Sequence, residues 1–358
     1  MSEPYTVSPH SRRRRGGCFL RFAAAFVVLL ALGAYLTMQY LTGGNGTPRC
    51  VVVSGADDGV SYEFTPEQAA NAATISAVGT SRDLPERAVT IALATALQES
   101  ALHNISHGDR DSLGLFQQRP SQGWGTEKQI QDPVYAAGEF YDHLVKVDGY
   151  EDLPLTVAAQ RVQRSGYPEA YAKHEPDAAL LAAALTGRAA ATLTCEGRQE
   201  TSTAAYAGGP EAVRSALARD FGDEMDEMDE MDEMDEMFDT AGAVVGSSGS
   251  SSSSGSSDTS NAAASGSPQA QAQTSPDPTA SPVAGTVTIP VSDAGDADEV
   301  RQRGWELAHW AVANSSRLGV QRVSYAGREW VAEGRAGAWR RAEGAAGSPA
   351  EVRIVTGQ

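Results

Sequence analysis

Between about Thr201 and Asp298 the chain is written in residues that cannot build a core. Five Asp-Glu-Met triplets run from Asp223 to Met237, and serine, glycine, proline, alanine and glutamine follow. This composition buries too little apolar surface to offset the entropy of ordering, so residues 201–298 are predicted to be a disordered acidic and Ser-rich linker. The tract splits the 358 residues into a long amino-terminal part and a short carboxy-terminal one. It also skews the averages: formal net charge is −18, ten of the acidic residues lie in 223–237, and without them the charge is −8. A three-residue period matches neither a helix face nor a strand face. Methionine sulfur suits copper(I), which gives the repeat a metal-handling reading. An expanded repeat inside a linker explains it with less.

The amino terminus sets the compartment. Residues 1–21 form a basic tail, with Arg12 to Arg15 in a row. Phe22 to Leu41 then carries no charge, and a helix of that length spans about 30 Å, the thickness of a bilayer core. The run is longer than the apolar core of a secretory signal, which favours an uncleaved transmembrane anchor over residues 22–41. Either reading keeps the arginines in the cytoplasm and sends the remainder outward, with the membrane as a partner. Cys50 and Cys195 then lie where thiols oxidise, and they are expected to pair.

Residues 50–195 read as a compact, mainly helical domain. Thr65-Pro66-Glu67-Gln68 is a capping box with proline at the first helical position. Asp83-Leu84-Pro85-Glu86 is a second start signal, and the helix after it is apolar almost all round until Gln98-Glu99-Ser100. A helix apolar on every side is a buried one. Residues 299–358 regain order signals, with one helical pattern and three short strands, and are expected to form a small α/β module of unassigned role and partner. Its Trp305, Trp310, Tyr325, Trp330 and Trp339 read as core before sugar platforms. Scattered basic residues and the absence of zinc spacing or a phosphate loop argue against nucleic acid as a partner.

The stretch Gln98 to Gly125 carries the chemistry. A glutamate ending a buried helix is partly desolvated and sits at the negative end of the helix dipole, and both raise its pKa. A carboxyl kept protonated near neutral pH can donate to the leaving oxygen of a glycosidic bond. Such an acid calls for no cofactor and no metal.

Glu99-Ser100 followed by Ser112-Leu113-Gly114-Leu115-Phe116-Gln117 resembles the signature of the lysozyme-like superfamily, nearest to soluble lytic transglycosylase-type domains of actinobacterial cell-envelope proteins. The resemblance covers about residues 65–185 and implies an α+β lysozyme-like fold acting on the glycan strands of peptidoglycan. It implies that Glu99 is the acid/base, that Ser100 supports it, that Gly114 lets backbone approach the glycan, and that Gln117 hydrogen-bonds it. Trp124 and Tyr135 are candidate cleft walls by our own reading, and His103 and His107 lie beside the loop. A hydrolase needs a second carboxylate, for which Asp109 and Asp111 are the candidates, whereas a lytic transglycosylase needs only one acid. One departure stands out. The family carries a tyrosine near its catalytic glutamate in an Ala-Tyr-Asn-Ala-Gly stretch, and here Gln160 occupies about that position, with Tyr167 as a possible substitute. The expectation is therefore a mainly α chain: a transmembrane helix, the lysozyme-like domain, a linker and a small module. Its expected function is peptidoglycan cleavage, lytic before hydrolytic. A glycan-binding domain without turnover is the rival.

Overall fold

The computed structural model describes residues 48–56, 58–167, 169–196, 208–222, 285–291, 295–332, 338–342 and 349–357. The expected anchor, residues 22–41, and the Asp-Glu-Met repeat lie outside these. All the elements below belong to one compact unit within Pro48–Gln358.

Strand β1 (Cys50–Val53) is the middle of a three-stranded antiparallel sheet, between β2 (Ser61–Phe64) and β3 (Leu193–Cys195). Its register sets Cys50 opposite Cys195, and the two form a disulfide. The bond joins the ends of the helical domain across 145 residues. In the chain-entropy model a loop of that size stabilises the fold by about 5 kcal/mol.

Helix α1 (Pro66–Thr80) starts at Thr65, whose hydroxyl accepts from the Gln68 amide while the Gln68 side chain accepts from the Thr65 amide. Helix α2 (Glu86–Ser100) follows Pro85 and is buried without a break from Ala88 to Leu97. It is the core of the domain, packed against α1, α4 (Pro133–Leu144), α5 (Leu155–Gln163) and α6 (Glu175–Leu185). Short α3 (Glu127–Ile130) precedes α4. Arg87 ties the start of α2 to Glu175 at 2.7 Å and to the Leu153 carbonyl at 2.9 Å.

The expected fold class needs correction. Among the described residues there are nine α-helices and two sheets, and no helix is long and apolar enough to cross a membrane. The chain is a mixed α and β structure, and its carboxy-terminal part packs on the helical domain. Helix α7 (Pro210–Phe221) and strand β4 (Thr286–Pro290) both lie inside the stretch read as linker. Averaged composition hid them. Val213, Ala216, Leu217 and Phe221 in α7 follow helical spacing and are buried, and Val287 and Ile289 in β4 alternate with polar neighbours.

Helix α8 (Ala297–Ala313) is capped by Asp296, whose carboxylate accepts from the amides of Asp298 and Glu299. Short α9 (Ser315–Leu318) leads into β5 (Val320–Tyr325), β6 (Arg328–Val331), β7 (Arg340–Arg341) and β8 (Glu351–Thr356). The five-stranded sheet runs β4–β8–β5–β6–β7, and β5 turns into β6 at Ala326-Gly327, both with positive φ.

Helix α8 is buried from Gly304 to Ala313 because it serves two cores. One side packs on β5 and β8, the other on α1, α6 and β3 of the helical domain. Polar groups lock that contact. The buried carboxylate of Asp220 accepts from Thr74 on α1 (3.0 Å), from the Trp310 indole on α8 (2.9 Å) and from Arg219. Thr80 donates to Glu306, which also pairs with Arg303 at 3.0 Å. The buried His309 ring lies 2.7 Å through Nδ1 from the Ala184 carbonyl and accepts through Nε2 from the Thr192 amide at 3.3 Å. Gly187 has φ +74, and a Cβ there would stand 1.8 Å from the Gln302 carbonyl, so glycine alone lets α8 approach this turn.

Candidate active site

Helix α2 ends by a backbone reversal. Ala101 and Leu102 both take positive φ, and their amides return to the carbonyls of Leu97 and Ala96 at 3.1 Å. The carbonyls of Ala101 and Leu102 accept from Gln68 and Asn71 of α1, each at 2.8 Å. The last turn, Gln98 to Ser100, is thereby held half-buried at the edge of the buried core.

Glu99 is the residue this end presents. Burial pushes its carboxyl above the usual carboxylate range, and two donors pull it partway back. One is the Tyr171 hydroxyl, 2.7 Å from Oε1, and the other is the Gln163 side-chain amide at the end of α5. Tyr171 is fully buried just before the 3-10 turn Ala172–His174. Burial, with the Glu99 charge beside it, holds its phenol far above the ordinary value, so it acts as a donor.

The Leu113–Gln118 bridge closes a tight turn against this helix end. Gly114 has φ +76, and a Cβ there would meet the Ile130 carbonyl at 2.6 Å. Its amide donates to the Ile105 carbonyl at 2.8 Å. Two carbonyls of the turn accept from the site: Leu115 from the Ser100 hydroxyl at 2.7 Å, and Phe116 from Gln163 at 2.8 Å. Ser100 and the turn are therefore joined to Glu99's surroundings. The Gln117 side chain instead lies over its own loop, within weak reach of the His107 and Gly114 carbonyls at 3.4 and 3.3 Å.

The other candidates make contacts of their own. Asp111 accepts from Arg119 Nε at 2.7 Å and from the Ser121 amide at 2.9 Å, bonds that hold its carboxyl well below the usual range. Asp109 is 93% exposed in its side chain. Trp124 packs on His143 of α4 with ring centroids 4.2 Å apart. The Tyr135 hydroxyl crowds Gly125, where a Cβ would lie 2.6 Å away. His103 faces Glu67 at 3.3 Å. Tyr167 is 80% exposed, and its amide donates to the Ser165 hydroxyl at 3.2 Å.

Two residues of this site escaped the sequence reading. Tyr171 sits eleven positions after Gln160, outside any Ala-Tyr-Asn-Ala-Gly pattern. Its signal was only an aromatic in a polar stretch. Gln163 carried no signal beyond the last position of a helical pattern. Among the described residues no group of three or more histidine, cysteine, aspartate or glutamate side chains could hold a metal ion.

Comparison with known families finds a match in the carboxy-terminal part. Residues 287–352 match the family described as VldE, C-terminal domain, a segment that runs from β4 into β8. No curated protein matches the chain.

Proposed function

We propose that the domain holding Glu99 cleaves the β-1,4 bond between N-acetylmuramic acid and N-acetylglucosamine in peptidoglycan, outside the cytoplasm. The observation that carries this reading is one carboxyl, half-buried at the end of a buried helix, with a buried phenol donating to it at 2.7 Å. Desolvation and the helix carboxy-terminus favour its protonated form, and the protonated form is the general acid. Glu99 gives its proton to the glycosidic oxygen as the C1–O4 bond breaks. The resulting carboxylate then takes the proton of the muramic 6-hydroxyl as the C1–O6 bond forms, leaving an anhydro sugar and a regenerated acid. The state of Asp111, committed to Arg119 and Ser121, supports this lytic route over hydrolysis.

The test is a digest of purified peptidoglycan by the full chain and by Glu99→Gln, read by mass spectrometry. Anhydro-muropeptides from the wild type only are expected. Products carrying one added water would mean hydrolysis and return attention to Asp109 and Asp111. Wall binding without products from either protein would make this a glycan-binding domain.

A further inference from the structure

We propose that Gly108 is a positioning residue of this site: it gives the Gln117 side chain a resting place on its own loop, from which a bound glycan strand must draw it out. The inference rests on the reading of the Glu99 site as one that takes a glycan. The Gly114–Gln117 turn abuts the end of α2, since its Leu115 carbonyl accepts from the Ser100 hydroxyl at 2.7 Å. From Gly114 to Gln118 every residue is buried except Gln117. Gln117 is thus the side chain of the turn that a ligand can reach, and the resemblance assigns it to the glycan. In the structure that side chain is engaged elsewhere.

Two contacts define the resting place. The Gln117 amide nitrogen donates to the His107 and Gly114 carbonyls at 3.4 and 3.3 Å. Both distances exceed the usual N–H···O length of about 2.9–3.0 Å, so the hold is weak. On its other side Gln117 Oε1 lies against Gly108, where a Cβ would stand 1.9 Å from it and 2.8 Å from Cδ. Gly108 is not among the glycines with positive φ, so what glycine contributes here is room, not a backbone conformation. Gln117 itself takes φ +49, a sparsely populated region for a residue with a side chain. The turn therefore fixes where this side chain starts, and Gly108 decides whether it can fold back. A resting pose of this kind competes with the ligand, because apparent affinity falls by the fraction of molecules in which Gln117 is free. An alanine at 108 would fill the space and expel the amide. The Ser112 carbonyl, 2.8 Å from the same Cβ, would have to give slightly.

The experiment follows Gln117 directly, in the full chain carrying Glu99→Gln so that bound strands are not cut. Glutamine is labelled with 15N and glycine with 13C, and the Gln117 signal is assigned with Gln117→Ala. The ligand is peptide-free glycan strands of alternating N-acetylglucosamine and N-acetylmuramic acid. In the free protein an NOE is expected between the Gln117 carboxamide and the Gly108 α-protons, and saturating strands should abolish it. Gly108→Ala should bind the strands about threefold more tightly and, with Glu99 intact, lower KM about threefold with kcat little changed. A merely structural role for Gly108 predicts weaker binding instead. An NOE absent from the free protein or kept in the complex overturns the proposal, as does a Gly108→Ala variant that binds no tighter. If that variant does not fold, the NOE decides alone. An NOE lost on binding, in a protein that cleaves nothing even with Glu99 intact, leaves Gly108 in its role and overturns the reading as an enzyme. Strands that do not bind overturn both.

Discussion

The Tyr171 hydroxyl donates to Glu99 Oε1 at 2.7 Å, joining residues 72 positions apart in sequence. The pair has a chemical asymmetry. The phenol is too desolvated to ionise, so the proton that can leave the pair under mild conditions is the carboxyl's. Tyr171 stabilises the carboxylate form that follows proton donation. Tyr171→Phe keeps the ring in its buried slot and removes the donor. Glu99 should then titrate higher, the alkaline limb of the activity profile should shift upward, and kcat should fall by about tenfold to a hundredfold. A pH–rate profile of wild type and variant checks this. An unmoved limb would mean that the bond does not govern the acid.

Glu99→Gln should cost activity and gain stability. The sign follows from the raised pKa. In the folded state the carboxyl holds its proton to higher pH than in the unfolded chain, so its contribution to stability is full below about 4.5 and is lost as pH rises through the folded value. Glutamine has no charge to bury. Melting temperatures of the two proteins should nearly coincide in acid, and the variant should gain as pH rises to 7. A variant no more stable at pH 7 would contradict the desolvated carboxyl.

The helical domain and the desolvated carboxyl of Glu99 were legible because both are local signals. A capping box, a proline start and an uninterrupted apolar run set α1 and α2, and the residue ending such a run is desolvated wherever it lies. Tyr171 and Gln163 were not legible, since each matters only through a partner distant in sequence, Glu99 at 72 positions and Phe116 at 47. The packing of the carboxy-terminal part was hidden for a different reason. Its recruits, α7 and β4, are short periodic segments inside a stretch whose average is polar, and averaging erased them. Asp220 shows the same limit: an aspartate in a charged neighbourhood reads as solvated, yet it is buried.

That aspartate ties the carboxy-terminal part to the helical domain. Asp220→Ala would leave the Trp310 indole and the Thr74 hydroxyl without their shared acceptor in a buried seam. The expected loss is about 3 kcal/mol, the cost of breaking a buried charged hydrogen-bond network. Urea unfolding of the full chain measures it. A fragment ending near residue 200 should fare worse, because the faces of α1, α6 and β3 that α8 covers would meet water. If that fragment unfolds with the same midpoint as the full chain, the seam contributes nothing.

His309 should make the same seam sensitive to acid. Its ring is fully buried, and burial lowers its pKa from the ordinary 6.5 to about 4. Only the neutral ring fits both partners, Nδ1 toward the Ala184 carbonyl and Nε2 accepting from the Thr192 amide. A second ring proton would point at that amide's own hydrogen. The unfolded chain takes up the proton first, so the stability this residue contributes is full above about pH 6.5 and is lost as pH falls towards 4. His309→Gln can still donate and accept but does not titrate. Unfolding midpoints measured between pH 7 and 4.5 should fall more steeply for the wild type than for the variant. Parallel curves would mean that the ring finds another partner on protonation, and the seam would then not be the acid-sensitive part of the fold.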